Sequence, residues 1–255
     1  MATLSVITIT LNEETNIGPC LESVRWADEI IVLDSGSTDR TVSIAERYTK
    51  RIFPVKWEGF GQTRNLGLKH AQGEWILWLD ADERVTPELA REIQDILIRN
   101  ESAVSGYAIA RRAYFLGKWI RHCGWYPARV TRLFRKTRAT FTTTRVHEGI
   151  AIEGPVRPSQ NDIVHLTDPD LEHYFNKFNK YTTLAAEELL EAGRRASLFD
   201  LFIRPPFTFV KMFVLRLGLL DGLHGFILCV LSSAYVFVKY AKLWQLQRAR
   251  GRLQG

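Results

Sequence analysis

The sequence predicts an α/β fold: a mostly parallel sheet with helices on both faces, followed by a basic, apolar helical tail. Three observations carry this reading. Short β-branched apolar runs alternate with helical segments through the first hundred residues. Polar and acidic turns follow those runs, where ligands of parallel sheets bind. The net charge of +6 is unevenly spread. Residues 194–255 hold ten Lys+Arg against Asp200 and Asp221, which is +8, and residues 1–193 hold 24 basic and 26 acidic residues, which is −2. At 255 residues, 46% apolar and 24% charged, the chain is long enough for one large core and has an ordinary globular balance. Disordered, collagen-like and coiled-coil classes are excluded.

Residues 4–11 form the first buried strand, and Asn12 is read as the cap of a helix whose apolar face includes Ile17, Leu21 and Val24. Residues 29–33 (EIIVL) form the second strand, followed by the turn Asp34-Ser35-Gly36-Ser37-Thr38-Asp39 and a helix over 41–48. A short strand follows at 51–54, then a helix over 62–71 that stops near Gly73. Residues 75–79 form a strand ending in Asp80-Ala81-Asp82-Glu83. Thr86-Pro87-Glu88 is a helix start, with Thr as cap, Pro in the first turn and an acid beside it. Residues 103–165 hold shorter β-like runs, 106–111 and 150–152, read as the edge of the sheet plus loops on an acceptor side. Residues 170–192 read as a helix with an apolar stripe.

The tail begins at Leu198. Residues 198–220 are apolar but interrupted by charge, Asp221-Gly222 breaks the run, and 222–238 carry no charge except on His224. Two helices joined at 220–225 make a hairpin that lies in one leaflet better than it spans, its basic ends meeting anionic lipid. A buried helical pair of a soluble domain is the alternative. The basic end argues for a membrane surface rather than nucleic acid, because apolar helices precede it. The N-terminus lacks the pattern of a secretory signal. Cys20, Cys123 and Cys229 have no disulfide or zinc spacing, which fits a reducing compartment.

Asp80 and Asp82, one residue apart at a strand end, can present oxygens to Mg²⁺ or Mn²⁺ and through it to a diphosphate, or form an exposed acidic turn. Asp34 can accept hydrogen bonds from a nucleobase or ribose, or serve only its own turn. Arg132 and Arg135 read either as contacts to donor or acceptor phosphate or as a solvated basic face. His147 reads as a ligand-facing or a packed histidine, and His165 and His173 as structural. Trp119, Trp125 and Tyr126 suit sugar faces, a membrane interface or core packing.

Taken together, Thr10-Leu11-Asn12-Glu13-Glu14, Asp34 to Asp39, Arg64-Asn65 and Asp80-Ala81-Asp82 resemble, in order and spacing, the family 2 nucleotide-sugar glycosyltransferases of GT-A fold. The segments 57–65, 79–83, 132–135, 146–148 and 181–188, with Leu220-Asp221-Gly222, are similar to the bacterial subgroup that includes lipopolysaccharide core glucosyltransferases. The resemblance implies a nucleotide-sugar site of Asn12, Glu13, Glu14, Asp34, Arg64 and Asp80. In it Glu13 or Glu14 and Asp34 contact the nucleoside, Asp80 lies near ribose, Arg64 lies near the nucleotide, and Asp82 holds the metal. It places the catalytic base at Glu148, for which an ordinary surface glutamate is the alternative. Thr10-Leu11-Asn12 departs from the Pro-x-Tyr-Asn of broader members. The absence of Gln-x-x-Arg-Trp implies single transfer rather than processive synthesis.

The expectation is an inverting, metal-dependent transferase, residues 1–193, with a membrane-associating tail, residues 194–255, at the cytoplasmic face of the bacterial inner membrane. It moves one hexose, glucose from a UDP-sugar, onto a lipid-borne glycan such as the lipopolysaccharide inner core. A polyprenyl phosphate is the alternative acceptor, and a non-catalytic module that binds a nucleotide sugar at the membrane is the alternative of another class.

Overall fold

The computed structural model describes residues 1–57, 59–141 and 149–253. They form two compact units, one of Met1–Arg112 with Ala128–His165, the other of Ala113–Pro127 with Leu166–Gly255. Residues 113–127 and 166–193, assigned by sequence to the catalytic body, therefore cluster with the tail.

In the first unit, β1 (Leu4–Thr10) pairs in parallel with β2 (Glu29–Asp34) and with β4 (Trp75–Trp78). Val6 thus lies between Ile30 and Leu77. Strands covered on both faces read as continuous apolar runs, as LSVITIT, EIIVL and WILW do. β3 (Ile52–Pro54) extends the parallel half beyond β2.

Beyond β4 the sheet becomes antiparallel, with the order β3-β2-β1-β4-β8-β6-β11-β5 among the described residues. β8 (Ala128–Arg135) pairs with β4 through Leu77 and Leu133, and β6 (Gly106–Phe115) pairs with β8. β11 (Val156–Asp168) pairs with β5 (Glu83–Val85) through His165 and Glu83. This corrects the sequence expectation that 106–111 lies at the edge. β4 offers its free side to a strand from much later in the chain, a pairing no local pattern encodes.

The helices also shift from expectation. α1 spans Ile17–Glu22 and starts after Asn16, not Asn12. Asn12 has φ 54°, a left-handed conformation asparagine tolerates, and its Oδ1 accepts from the Thr38 amide at 2.8 Å. α2 (Thr41–Ala45) is shorter than 41–48, and α3 spans Phe60–His70. α4 (Pro87–Arg99) starts where expected, with Thr86 Oγ1 accepting from the Leu89 amide at 3.2 Å. It buries Leu89, Ile93, Ile96 and Leu97, spaced for one helical face. Alternation in the strands feeds two cores. Val6, Val32 and Leu77 meet Leu21 of α1 and Ile93 of α4 on one face, and Ile7, Leu33 and Ile76 meet Leu68 of α3 on the other.

In the second unit, α5 (Leu171–Glu191) is capped by Asp170, whose Oδ1 accepts from the His173 amide at 2.7 Å. The run 198–220 is not one helix. It breaks into α6 (Leu198–Phe202), α7 (Arg204–Val210), a π-helical turn (Lys211–Leu215) and a 3₁₀ turn (Gly218–Asp221). Pro205 and Pro206 lack amide hydrogens and cannot continue a helix begun at Leu198, so they open a new one. After Asp221-Gly222 the chain enters α8, which runs from Gly222 to Leu253, well past the expected end at 238. Its basic extension is built of good helix formers, and it lies against α5: Lys242 Nζ donates to Asn179 O at 2.9 Å and Thr182 Oγ1 at 2.8 Å. The stretch Gly218–Arg250 is long and apolar enough to cross a membrane by length and composition.

Replacing the α4 cap, Thr86→Ala, is expected to cost about 1 kcal/mol of stability in urea unfolding, because the Leu89 amide loses its partner.

Candidate functional site

Three parallel strands deliver their carboxyl ends side by side. β1 leads into residues 11–16, β2 ends at Asp34, and β4 leads into Asp80-Ala81-Asp82. This is where ligands bind in such sheets.

The first two loops are laced together. Asn12 Oδ1 holds the Thr38 amide, the Glu13 amide donates to Thr41 Oγ1 at 2.7 Å, and the Glu14 amide donates to Asp39 Oδ2 at 3.1 Å. The Glu14 carboxylate is engaged by Arg40, accepting from its amide at 3.1 Å and its Nε at 3.2 Å. Glu13 Oε2 accepts from Asn16 Nδ2 at 2.9 Å. Asp34 is buried and accepts from the Gly36 amide at 3.1 Å, the Ser37 amide at 3.0 Å and the Ser37 hydroxyl. Gly36 has φ +98°, which a side chain would strain. The Ser37 amide also reaches Asp34 Oδ1 at 3.3 Å, so both carboxylate oxygens are engaged within their own turn.

The Asp80–Glu83 turn is locked from several sides. The Asp80 amide donates to Glu83 Oε2 at 3.0 Å, and the Glu83 amide donates to Asp80 O at 2.9 Å. Arg84 Nη1 donates to Ala81 O at 3.0 Å and Glu83 O at 2.9 Å, and its Nη2 reaches Asn16 Oδ1 at 3.1 Å. From β8, the buried Arg132 guanidinium donates to Asp80 Oδ2 and, at 2.6 Å, to Glu83 Oε1. Burial pushes the Asp80 carboxyl up, but the charges of Arg132 and Arg64 outweigh it and hold Asp80 at about 2. Burial dominates at Glu83, whose side chain is wholly enclosed, and raises it above the usual carboxylate value despite Arg132. Arg132 stays protonated because two carboxylates face it.

Arg132 and Arg135 do not act as the sequence suggested. Arg132 spends its charge on Asp80 and Glu83 rather than on a phosphate. Arg135 lies level with Trp75, at the amino end of β4 and away from the site. It pairs with Glu74, donates through Nε to Val104 O at 3.0 Å and through Nη2 to Asn100 Oδ1 at 2.7 Å, and stacks on Trp75. Both side chains hold the sheet's ends in place.

Arg64, on α3, lies 5.3 Å from the Trp78 ring centroid and 5.6 Å from that of Phe141. Beside it, Asn65 pins α3 to β9 (Ala139–Phe141) by donating to Phe141 O at 2.8 Å and accepting its amide at 3.1 Å. The proposed base Glu148, and His147, lie outside the described residues.

One site residue was missed by sequence reading. His165 Nε2 lies 3.2 Å from Asp82 Oδ2, with both side chains mostly buried. His165 was read as structural because nothing local ties residue 165 to residue 82. The β11–β5 pairing brings them together. Among the described residues no group of three metal-binding side chains forms. The Asp82 carboxylate suits Mn²⁺ or Mg²⁺, which commonly take one or two protein carboxylates and complete their shells with substrate phosphate and water, and the contact from His165 orients that carboxylate.

The sequence model described as Glycosyl transferase family 2 matches residues 5–157. The chain belongs to glycosyl transferase family 2. The α/β fold and the carboxylate pair after β4 agree with that membership, and the protein is a glycosyltransferase. Over 98% of its length this family 2 enzyme is 32% identical to the lipopolysaccharide core biosynthesis glycosyltransferase LpsC of Rhizobium meliloti (strain 1021), covering 94% of that protein. It is 28% identical to the uncharacterized glycosyltransferase RT0209 of Rickettsia typhi, over 96% of this chain and 88% of that one. Among solved structures it is similar to S. aureus TarS 1-349 in complex with UDP-GlcNAc, with a TM-score of 0.49 and 17% identity over 94% of this chain and 92% of that chain.

Replacing Arg132 by Leu is expected to destabilise this glycosyltransferase by about 3 kcal/mol in chemical unfolding, since the enclosed Glu83 loses its counter-charge while Asp80, a third exposed, is screened by water. At the loop pair, burial raises the Asp39 carboxyl slightly, but hydrogen bonds from Thr41 and Glu14 outweigh it and hold Asp39 below 3.8. A lowered acid contributes stability that is present above its unfolded value and lost as pH falls below it. Asp39→Asn is therefore expected to flatten the loss of stability between about pH 4 and pH 2, measured by urea melts at each pH.

Proposed function

We propose that this glycosyltransferase moves a single hexose, glucose from a UDP-sugar, onto a lipid-borne glycan such as the lipopolysaccharide inner core, with inversion at the anomeric carbon. The observation that carries the reading is the locked Asp80–Asp82 turn at the carboxyl end of β4, beside the Asp34 loop. The acceptor class is supported by the near full-length similarity to a protein named for lipopolysaccharide core biosynthesis.

In this reading the nucleoside lies across the loops after β1 and β2. Asp34 accepts from the nucleobase in exchange for its longest turn contact, and Glu13 or Glu14 and Asn12 flank it. Asp80, kept ionised by Arg132, accepts from ribose. Arg64 lies near the nucleotide. Asp82, oriented by His165, would hold Mg²⁺ or Mn²⁺, which would supply positive charge to the leaving diphosphate. Glu148 takes the proton of the acceptor hydroxyl as it attacks the anomeric carbon. The locked turn fixes these groups before substrate arrives, so little reorganisation opposes reaction.

The tail holds the enzyme at the cytoplasmic face of a membrane, where a lipid-borne acceptor is presented. Exposed Phe199, Phe202, Phe207, Leu215, Leu220 and Leu223 support that location.

The test is UDP release from UDP-glucose by purified protein with Mn²⁺ and inner-core acceptor, the product identified by mass. Asp82→Ala is expected to lower turnover by at least about 100-fold with the protein still folded, and unchanged turnover would remove the metal role. Glu148→Gln is expected to lower kcat by about 10²–10⁴-fold with little change in donor KM. A product that extracts into organic solvent only with polyprenyl phosphate would reassign the acceptor.

A further inference from the structure

The unit formed by Ala113–Pro127 and Leu166–Gly255 contains a cavity of about 420 Å³ lined by α7, the π-helical turn and α8. Four cations line it, Arg204, Lys211, Arg216 and Lys239, with Phe207 and Tyr240 among them. The neighbouring acids neutralise this cluster only in part. Asp200 pairs with Arg204 at 2.6 Å, but it is also held by Ser197, accepting from the amide at 3.0 Å and the hydroxyl at 2.7 Å. Asp221 is buried and accepts from the Arg121 amide at 3.2 Å and the His122 amide at 2.9 Å. Among the described residues Lys211, Arg216 and Lys239 pair with no carboxylate.

The cations also crowd one another. Lys239 Nζ lies 4.8 Å and the Arg204 guanidinium 5.4 Å from the centroid of the Tyr240 ring. Burial first, and the Arg204 charge second, push the Lys239 ammonium below its usual value. The cavity is concave and open to solvent, with Lys211 and Arg216 exposed at it, and its cations outnumber the one carboxylate paired to them.

The rim says what carries that anion. Phe207, Val210, Val214 and Leu215 stand exposed on the same elements as the cations, Leu215 to 67%. A soluble anion leaves these side chains in water, whereas an acyl lipid covers them. The guanidinium of Arg216 and the ammoniums of Lys211 and Lys239 together suit phosphate, whose several oxygens accept several N–H bonds, better than a lone carboxylate.

We propose that this cavity is a site for the phosphate of a lipid headgroup, one per chain. The proposal rests on the reading that this unit meets a membrane and goes further, replacing diffuse attraction by a built site. Bulk phospholipid and a phosphorylated lipid acceptor share the chemistry.

The experiment titrates the full chain with dihexanoyl phosphatidic acid below its micellar concentration, and separately with inorganic phosphate. The variant K211Q/R216Q/K239Q is compared with R195Q/R248Q/R250Q, which removes the same charge from exposed positions outside the cavity. Expected are saturable 1:1 binding of phosphatidate, at least about tenfold loss in the cavity variant, and a change within about twofold in the matched variant. Equal loss in both variants, absent binding, or inorganic phosphate binding as tightly as phosphatidate would overturn the proposal, the last by assigning a free anion. Thermal unfolding of each variant guards against misfolding, and the single variant Lys211→Gln serves if the triple does not fold. Flotation with phosphatidylglycerol vesicles separates the two readings. No flotation of the wild type removes the membrane reading, while flotation unchanged in the cavity variant keeps that reading and removes the site. Phosphatidate binding weakened when purified acceptor lipid is added identifies the acceptor as the source, and phosphatidate binding unaffected by it identifies bulk phospholipid, both within the proposal.

Discussion

The buried guanidinium of Arg132 is the constraint around which the catalytic end of the sheet is organised. A charge enclosed this completely persists only when opposite charge lies beside it, and here two carboxylates face its Nη2. Because Asp80 and Glu83 come from one turn and Arg132 from β8, the ion cluster ties the parallel half of the sheet to the antiparallel half. It also keeps Asp80 ionised in a site where burial alone would favour the neutral acid. Both bonds come from the one nitrogen Nη2, which sits between the Asp80 and Glu83 carboxylates.

Arg135 shows the same device three residues later and to a different end. Odd spacing along a strand sends the two side chains to opposite faces. Arg135 gathers Glu74, Asn100 and the carbonyls around Val104 at the amino end of β4, where no ligand-facing carboxylate lies. One strand thus clamps both ends of the sheet. This leaves the carboxyl ends of β1, β2 and β4 rigid enough to present Asp34 and the Asp80–Asp82 turn.

The second unit separates its acids from most of its bases. The two acids of residues 194–253 are buried in hydrogen-bonded caps, while basic and large apolar side chains remain outside. A surface of that composition is poorly matched to water and well matched to an anionic interface. The side of α8 that lies on α5 packs Tyr240 and Leu243 against Ala186 and adds polar contacts such as Lys242 to Asn179 and Thr182, so that half of the helix has a protein partner.

By itself the sequence determined the parallel half of the sheet, the start of α4 at Thr86, the acidic turn after β4 and the charge of the tail. Each of these depends on neighbours within a few residues: apolar runs, a cap, a turn, a composition. The family was legible for the same reason, since its motifs are short and their order is linear. Tertiary structure alone decided that 106–111 lies inside the sheet, that Asn12 ties one loop to another instead of capping a helix, and that Arg132 serves Asp80. It alone put His165 beside Asp82, 83 positions away in the chain. These outcomes rest on strand pairing between distant segments, and the energy of such a pairing depends on the partner's register, which no window of sequence contains.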